Sequence, residues 1–166
     1  MMPYAFSSFS RNTWTNAKYP QTCKLLLLSD SLQGLKFLHA SGFMHRDIRP
    51  QNMLILSYEP PQASVCDYGK VVEAVHSTDT CIGPIHSLAP EVWTANKDSP
   101  YDAKIDMWAF DYAIAELLGY SLSLQHPHGI DRKITHDRHT AILKGFVLIV
   151  MIHVKTRLSS IWFSSY

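Results

Sequence analysis

Apolar residues recur at steps of three and four between Thr22 and Ala40, with polar residues between them. Because 3.6 residues complete a helical turn, this spacing places the apolar side chains on one side of a helix. We therefore expect an amphipathic helix that ends at Ser41-Gly42, since glycine tolerates the left-handed conformation found after helix C-termini. The apolar positions are Leu25, Leu28, Leu32, Leu35 and Leu38.

A second helix is predicted between Asp102 and Tyr120, where apolar residues cover most of the helix circumference. A helix that is apolar on most sides belongs in a protein core. Asp106 and Asp111 are conspicuous there because burial disfavours an ionised carboxylate that lacks hydrogen bonds. An unpaired Asp111 would destabilise the fold or stay protonated.

Two short apolar runs, "NMLIL" and "ASVC", are separated by "SYEPPQ". Since two adjacent prolines interrupt a β ladder, we predict a hairpin with a long loop. Residues 1–21 show no steady period and are predicted to be irregular. Residues 70–100 are also aperiodic, and a loop of that length in a compact chain usually has a function.

Composition adds few constraints. The chain has 166 residues, enough for one domain with a core. Its formal net charge of +1, from 15 basic and 14 acidic side chains, predicts neither a nucleic-acid nor a membrane partner. Three dispersed cysteines argue against disulfides, and the N-terminus lacks the features of a secretory signal, so an intracellular, cytoplasmic location is expected.

The most apolar stretch is 145–154, about half the length that a membrane-spanning helix needs. It predicts a buried helix or strand rather than an anchor. The preceding segment is rich in histidine, with spacings that could bind zinc, but no cysteine accompanies them. We favour a solvated loop there and leave a zinc hydrolase as an open alternative. The histidines are His126, His128, His136 and His139.

The stretch "GFMHRDIRPQNMLIL", residues 42–56, combines several charged residues with an apolar run. This pattern is typical of a loop whose charged groups are fixed because a strand anchors its far end. Further motifs follow in order: "CDYG", "LAPEVW" and "DMWAFD".

Together these motifs resemble those of eukaryotic-type protein kinases. "HRDIRPQN" resembles the catalytic loop, "DYG" the metal-binding triplet and "APE" the end of the activation segment. "DMWAFD" resembles the helix that supports the catalytic loop. One such triplet would be a weak signal, but four in the right order are strong.

The resemblance implies a mostly α fold, the C-terminal lobe of a protein kinase with a small β-hairpin, over residues 22–124. Residues 1–21 would form an irregular segment and 125–166 a divergent one. We expect the small N-terminal lobe of a kinase to be missing from these residues. Neither a Gly-x-Gly-x-x-Gly loop nor a Val-Ala-Ile-Lys strand precedes the catalytic motif.

The resemblance also implies transfer of the ATP γ-phosphate to hydroxyls of a protein. Some tyrosine kinases carry arginine at the place of Arg49, but Pro50 resembles the serine/threonine form, so serine or threonine hydroxyls are favoured and tyrosine stays an alternative. Asp47 would orient or accept the hydroxyl proton, and Arg49 would contact the transferred phosphate. Asn52 and Asp67 would bind Mg²⁺ and, through it, ATP, because Mg²⁺ prefers oxygen ligands. Residues expected to support the site structurally are His45, Arg46, Gly69, Glu91 and Asp106.

Arg46 would, by the same resemblance, receive a phosphorylated residue of the activation segment, for which Ser77, Thr78 and Thr80 are candidates. Asp106 would accept hydrogen bonds from the backbone of the catalytic loop. Cys66 is interpreted as a small buried side chain rather than a reactive thiol.

Some positions depart from the family pattern. Pro84 replaces a threonine, Asp111 replaces a glycine, and the arginine that pairs with Glu91 is not recognisable. Because catalytic parts act as a unit, we expect no kinase activity from these 166 residues unless another chain supplies a small lobe. The alternatives are a non-catalytic kinase-like module that docks a protein partner, or a truncated gene product.

Overall fold

The computed structural model describes residues 5–80, 82 and 87–118. Within these ranges four helices accompany a three-stranded antiparallel sheet of order β1-β3-β4 and a two-stranded sheet of β2 and β5. Single 3₁₀ turns occur at Pro50–Asn52 and Tyr68–Lys70. The elements are β1 (Ser7–Ser8), α1 (Arg11–Thr15), α2 (Gln21–Ala40), β2 (Phe43–Met44), β3 (Met53–Tyr58), β4 (Pro61–Val65), β5 (Val72–Glu73), α3 (Pro90–Trp93) and α4 (Lys104–Leu117).

Helix α2 confirms the first predicted helix, and Gly42 after it has a left-handed φ of 85°. The buried side is rotated from the predicted one because the helix packs against β4 and the core. Leu27, Leu28 and Leu35 are buried, whereas three of the predicted positions, Leu25, Leu32 and Leu38, are only partly buried.

Two polar side chains of α2 are also buried, and each has a local partner. The Lys24 ammonium donates to the carbonyl of Asn16 at 3.2 Å, and the Ser31 hydroxyl donates to the carbonyl of Leu27 at 3.0 Å. Their hydrogen bonds offset the cost of removing polar groups from water.

Residues 7–15 carry a short strand and a helix, which corrects that part of the prediction of an irregular segment over residues 1–21. Strand β1 pairs with β3, and α1 begins after a reciprocal cap in which Ser10 and Thr13 exchange side-chain and backbone hydrogen bonds. Phe9 and Trp14 are buried with ring centroids 5.8 Å apart. The single buried turn is too short to give a helical period, so periodicity could not reveal it.

The β3–β4 hairpin forms, but the predicted long loop is wrong. The ladder continues to the pair Tyr58–Pro61, so only Glu59 and Pro60 connect the strands. Pro61 is the first residue of β4, a position where a strand tolerates the missing N–H of proline.

Residues 70–100 contain more structure than the predicted loop. Strand β5 pairs with β2, and Ser77 and Tyr101 exchange two backbone hydrogen bonds of 2.9 Å. Apolar side chains from these segments and from the start of α4 form one buried cluster, which fixes the region around the 45–52 loop. Its members are Met44, Ile82, Ala89, Val92, Tyr101 and Ile105.

Helix α4 confirms the second predicted helix and is largely buried, although Met107 is 39% exposed. None of the helices within the described ranges is long and apolar enough to cross a membrane. Pro84, the histidine-rich segment and the apolar stretch 145–154 lie outside the described residues.

Candidate active site

The 45–52 loop, which connects β2 to β3, is centred on the buried imidazole of His45. Its Nε2 donates to the carbonyl of Cys66 at 3.1 Å, and its Nδ1 accepts the backbone N–H of Asp47 at 3.3 Å. Burial lowers the pKa of His45, although Asp106, Asp47 and Asp67 oppose this. A neutral ring with one donor and one acceptor nitrogen matches both contacts.

Asp106 of α4, only 1% exposed, holds the start of the loop. Its Oδ1 accepts the backbone N–H of Arg46 at 2.7 Å, and its Oδ2 accepts the backbone N–H of His45 at 2.7 Å. His39 of α2 also donates to Oδ2, at 2.8 Å. These are the backbone contacts expected of Asp106, and three donors account for a carboxylate on a core helix.

Two non-glycine residues within the described ranges have positive φ, and both lie at this site. Arg46 has a φ of 64° and Asp67 a φ of 65°. A left-handed conformation is unfavourable for residues with a Cβ, so surrounding contacts must hold it. Asp106 fixes the Arg46 N–H, while the Asp67 side chain accepts from Gly69 N at 3.4 Å.

Asp47 presents its two carboxylate oxygens to different surroundings. Oδ2 lies 3.2 Å from the Lys70 ammonium and 3.3 Å from the side-chain nitrogen of Asn52. That nitrogen also donates to the Asp47 carbonyl at 2.9 Å. Oδ1 is buried and has no hydrogen-bond partner among the described residues. Asp47 lines a cavity of about 20 Å³ together with Ser87 and Ala89.

Lys70 is a site residue that motif matching missed. It follows "DYG" directly, and the presence of a cation next to a predicted metal-binding motif is the sequence feature that could have pointed to it. Arg49, which the sequence places near the transferred phosphate, is exposed. Its side chain forms no hydrogen bond or ion pair with any residue in the described part of the chain.

Asn52 and Asp67 come close because the hairpin joins their neighbours. The Cys66 N–H donates to the Asn52 carbonyl at 2.9 Å, which places Asp67 beside Asn52. Since the Asn52 amide nitrogen faces Asp47, the amide oxygen faces away from it. Asp67 is exposed, and a Cβ on Gly69 would lie 3.3 Å from its Oδ1, so glycine keeps room there.

These oxygens suit a hard divalent cation. Mg²⁺ is usually held by one or two protein oxygen ligands, with water and substrate phosphate as the others. The residues present therefore fit Mg²⁺. Within the described ranges no group of three His, Cys, Asp or Glu side chains is placed to hold a metal by itself, so a metal here would depend on ligands from a bound phosphate.

The Arg46 side chain already has an anionic partner. Its Nε donates to the Lys70 carbonyl at 2.7 Å, and its Nη1 lies 3.1 Å from Asp79 Oδ2. The Tyr101 hydroxyl holds the Asp79 carbonyl at 2.7 Å, and the Ser77 hydroxyl accepts the Asp79 N–H at 3.2 Å. Ser77, Thr78 and Thr80 lie within two residues of Asp79 and stay predictions as phosphorylation sites.

Glu91 is the second residue of α3, is exposed and forms no ion pair within the described ranges. Its charge affects Lys104: Asp102 is the main cause of the raised pKa of Lys104, and Glu91 raises that pKa further. Burial raises the pKa of Cys66, and the neighbouring Asp67 raises it further. A thiol with a raised pKa is a poor nucleophile, which argues against a reactive thiol, but Cys66 is only partly buried, whereas a buried side chain was predicted.

Comparisons with known proteins place the sequence in one family. A sequence model described as "Protein kinase domain" matches residues 10–161. Similar curated proteins include serine/threonine-protein kinase TAO1-B of Xenopus laevis, 31% identical over 118 residues. Serine/threonine-protein kinase TAO3 of Gallus gallus is 31% identical, and that of Homo sapiens 30%, each over 118 residues. The alignments cover 70% of this chain but 12% of TAO1-B and 13% of each TAO3.

Proposed function

The chain belongs to the protein kinase family, and we propose that residues 22–124 form the catalytic large lobe of a serine/threonine kinase. Protein kinases use ATP and Mg²⁺ and act on protein substrates. The proposed reaction is transfer of the ATP γ-phosphate to a serine or threonine hydroxyl. The partner is therefore a protein substrate, and the near-neutral net charge favours neither nucleic acid nor a membrane surface.

The observation that carries the proposal is the direct contact between Asn52 and Asp47. A predicted metal ligand donates two hydrogen bonds to the predicted catalytic residue, at 2.9 and 3.3 Å. This contact fixes the Asp47 side chain relative to the metal ligands. A fixed relation between the group that orients the hydroxyl and the groups that orient the phosphate is what phosphoryl transfer requires.

Asp47 would act on the substrate hydroxyl through Oδ1, the oxygen without a partner among the described residues. As the hydroxyl oxygen bonds to phosphorus and ADP leaves with the electron pair of the broken bond, the hydroxyl proton would pass to Oδ1. Asn52 and Asp67 would hold Mg²⁺, which supplies neutralising charge for phosphate oxygens. His45 and Asp106 would keep the loop in position through the hydrogen bonds described above.

The elements that cover the adenine and grip the α- and β-phosphates in this family have no counterpart among the motifs of these 166 residues. We therefore expect the 166-residue chain, assayed alone with Mg²⁺, radiolabelled ATP and generic protein substrates, to transfer no measurable phosphate. The physical reason is that parts of a catalytic unit contribute far from additively.

Asp67→Ala is the matched variant for that assay: Asp67 is exposed, so the change removes the proposed metal ligand and the 3.4 Å contact with Gly69 N without opening the core. Robust incorporation by the unaltered chain that disappears in Asp67→Ala would show that the chain is active by itself, and would overturn the expectation. Incorporation that persists in Asp67→Ala would indicate a contaminating kinase and would leave the expectation standing.

The metal site can be tested without activity. In the presence of tripolyphosphate, Mn²⁺, a paramagnetic substitute for Mg²⁺, should broaden the NMR signals of the Asn52 side-chain amide and the Gly69 backbone amide, because both lie at or beside the proposed ligands. Asp67→Asn removes the negative charge of one ligand. It should raise the Mn²⁺ concentration that gives half-maximal broadening by about tenfold, which corresponds to about 1.4 kcal/mol.

Asp98→Asn provides the control for general electrostatic attraction, because Asp98 is an exposed carboxylate in the loop between α3 and α4. Equal broadening in the unaltered chain and in Asp67→Asn would remove the metal assignment. A chain that fails this test but binds a protein stoichiometrically would fit the second candidate, a non-catalytic kinase-like module. The departures at Pro84 and Asp111 favour that candidate.

A further inference from the structure

We infer that Lys70 is the cation that positions Asp47 and meets the transferred phosphate, a role that the motif pattern gives to Arg49. The inference rests on the proposed function and adds to it a residue outside the motifs. It follows from three features: the attachment of Lys70 at two points, the unequal surroundings of the Asp47 oxygens, and the isolation of Arg49.

Lys70 is attached to the 45–52 loop at both its backbone and its side chain. Its carbonyl accepts the Arg46 Nε at 2.7 Å, and its ammonium lies 3.2 Å from Asp47 Oδ2. The 3₁₀ turn Tyr68–Lys70, closed by the Val71 N–H on the Tyr68 carbonyl at 3.2 Å, fixes the backbone from which the side chain extends. Lys70 is therefore fixed at its backbone by Arg46, and its ammonium is attracted to Asp47.

The two contacts at Oδ2 determine which oxygen of Asp47 is free. Asn52 donates to Oδ2 at 3.3 Å and the Lys70 ammonium lies 3.2 Å from the same oxygen, whereas the buried Oδ1 has no partner in the described part of the chain. A carboxylate whose one oxygen is saturated with donors accepts the next proton at the other. Lys70 thus orients Asp47 and leaves the buried Oδ1 as the oxygen with free acceptor capacity.

The same ammonium is open to a second ligand. The Lys70 side chain is 44% exposed, while that of Asp47 is 7% exposed, so the lysine approaches the carboxylate from the solvent side. An ammonium has three N–H donors, and one contact with Oδ2 leaves others for phosphate oxygens. Arg49 is exposed without a partner among the described residues, so nothing fixes its guanidinium near Asp47.

The ion pair is tested first, by NMR of lysines carrying ¹³C-methyl groups introduced by reductive methylation, which preserves their positive charge. The Lys70 signal, assigned by its loss in Lys70→Arg, should shift in Asp47→Asn. The matched control is the exposed pair of Lys104 and Asp102, 2.7 Å apart, where Asp102→Asn should shift only the Lys104 signal. An unchanged Lys70 signal in Asp47→Asn would overturn the inference.

The phosphate contact is tested by calorimetric titration with Mg²⁺–tripolyphosphate. Lys70→Met should raise the Kd by about tenfold, which corresponds to about 1.4 kcal/mol, because it removes a charge-assisted hydrogen bond to the phosphate. Lys70→Arg should restore most of the affinity, because it keeps a cation at the same place. Arg49→Met should change the Kd by less than about twofold.

The possible results separate the inference from the function it builds on. A Kd that depends on Arg49 and not on Lys70 would overturn the assignment of Lys70 and leave the proposed function in place. No binding of Mg²⁺–tripolyphosphate to the unaltered chain, even though its Lys70 signal responds to Asp47→Asn, would overturn the phosphate site of the proposed function itself.

Discussion

Replacing Asp106 by alanine is expected to lower the free energy of unfolding by at least about 3 kcal/mol. The carboxylate is buried and accepts the backbone N–H groups of His45 and Arg46, together with the ring N–H of His39. Alanine would leave two buried backbone donors without an acceptor, at roughly 1–3 kcal/mol each. It would also create a cavity in the core beside α4.

Urea unfolding followed by tryptophan fluorescence measures this effect. The free energy of unfolding of Asp106→Asn should lie between those of the unaltered chain and Asp106→Ala. Asparagine keeps one acceptor oxygen but turns an N–H₂ group toward a donor. Asp102→Asn, just before the start of α4, is the control: it changes an exposed ion pair and keeps a side chain that can still accept the Lys104 N–H. If Asp106→Ala unfolds at the same urea concentration as the unaltered chain, the assigned anchoring contacts are wrong.

Replacing Asp111 by asparagine is expected to stabilise the fold above about pH 6. Burial raises the pKa of Asp111 from its ordinary 3.8 to about 6. Each pKa unit corresponds to 1.36 kcal/mol, so ionising this group in the folded state costs up to about 3 kcal/mol. Since the side chain keeps some exposure and asparagine is itself polar, we expect a net gain of about 1–2 kcal/mol.

The pH dependence has a definite sign. Below about pH 4 the carboxyl is protonated in both the folded and the unfolded chain, so it makes no difference to stability. Between about pH 4 and 6 the folded state retains the proton that the unfolded state loses, so the free energy of unfolding falls as pH rises. Above pH 6 both states are ionised and the full penalty remains.

Thermal unfolding at about pH 4.5 and pH 8 should therefore show the benefit of Asp111→Asn mainly at the higher pH. Glu116→Gln is the control, because Glu116 is an exposed acidic residue of the same helix. A benefit of Asp111→Asn that is equal at both pH values would show that packing, rather than ionisation, is responsible.

The two long helices and the hairpin could be predicted from sequence because each carries a clear period or a run of strand-forming residues. The buried side of α2 could not, since leucines occupy nearly every side and tertiary packing against β4 decides which of them are covered. Strand β1 was missed for a related reason: its two residues, Ser7 and Ser8, become a strand only through pairing with β3.

The site was predictable where chemistry requires a particular residue at a fixed spacing. Asp47 is hydrogen-bonded to the buried imidazole of His45 and to Asn52, and Asp67 is near enough to raise the pKa of His45, although the roles predicted for these residues stay predictions. Lys70 was missed because its contact with Asp47 joins residues 23 positions apart by way of a hairpin. Motif spacing holds no information on which of several cations reaches a carboxylate across such a connection.

The contact between Arg46 and Asp79 ties residues 77–80 to the 45–52 loop without a phosphate group. An aspartate is present from the moment the chain is synthesised, and no phosphatase can hydrolyse it away. Its single negative charge is also smaller than that of a phosphate, which carries about −1.5 to −2 at neutral pH. Arg46 therefore has a genetically encoded anionic partner that needs no kinase to create it. That partner attracts the arginine less strongly than a phosphate group would.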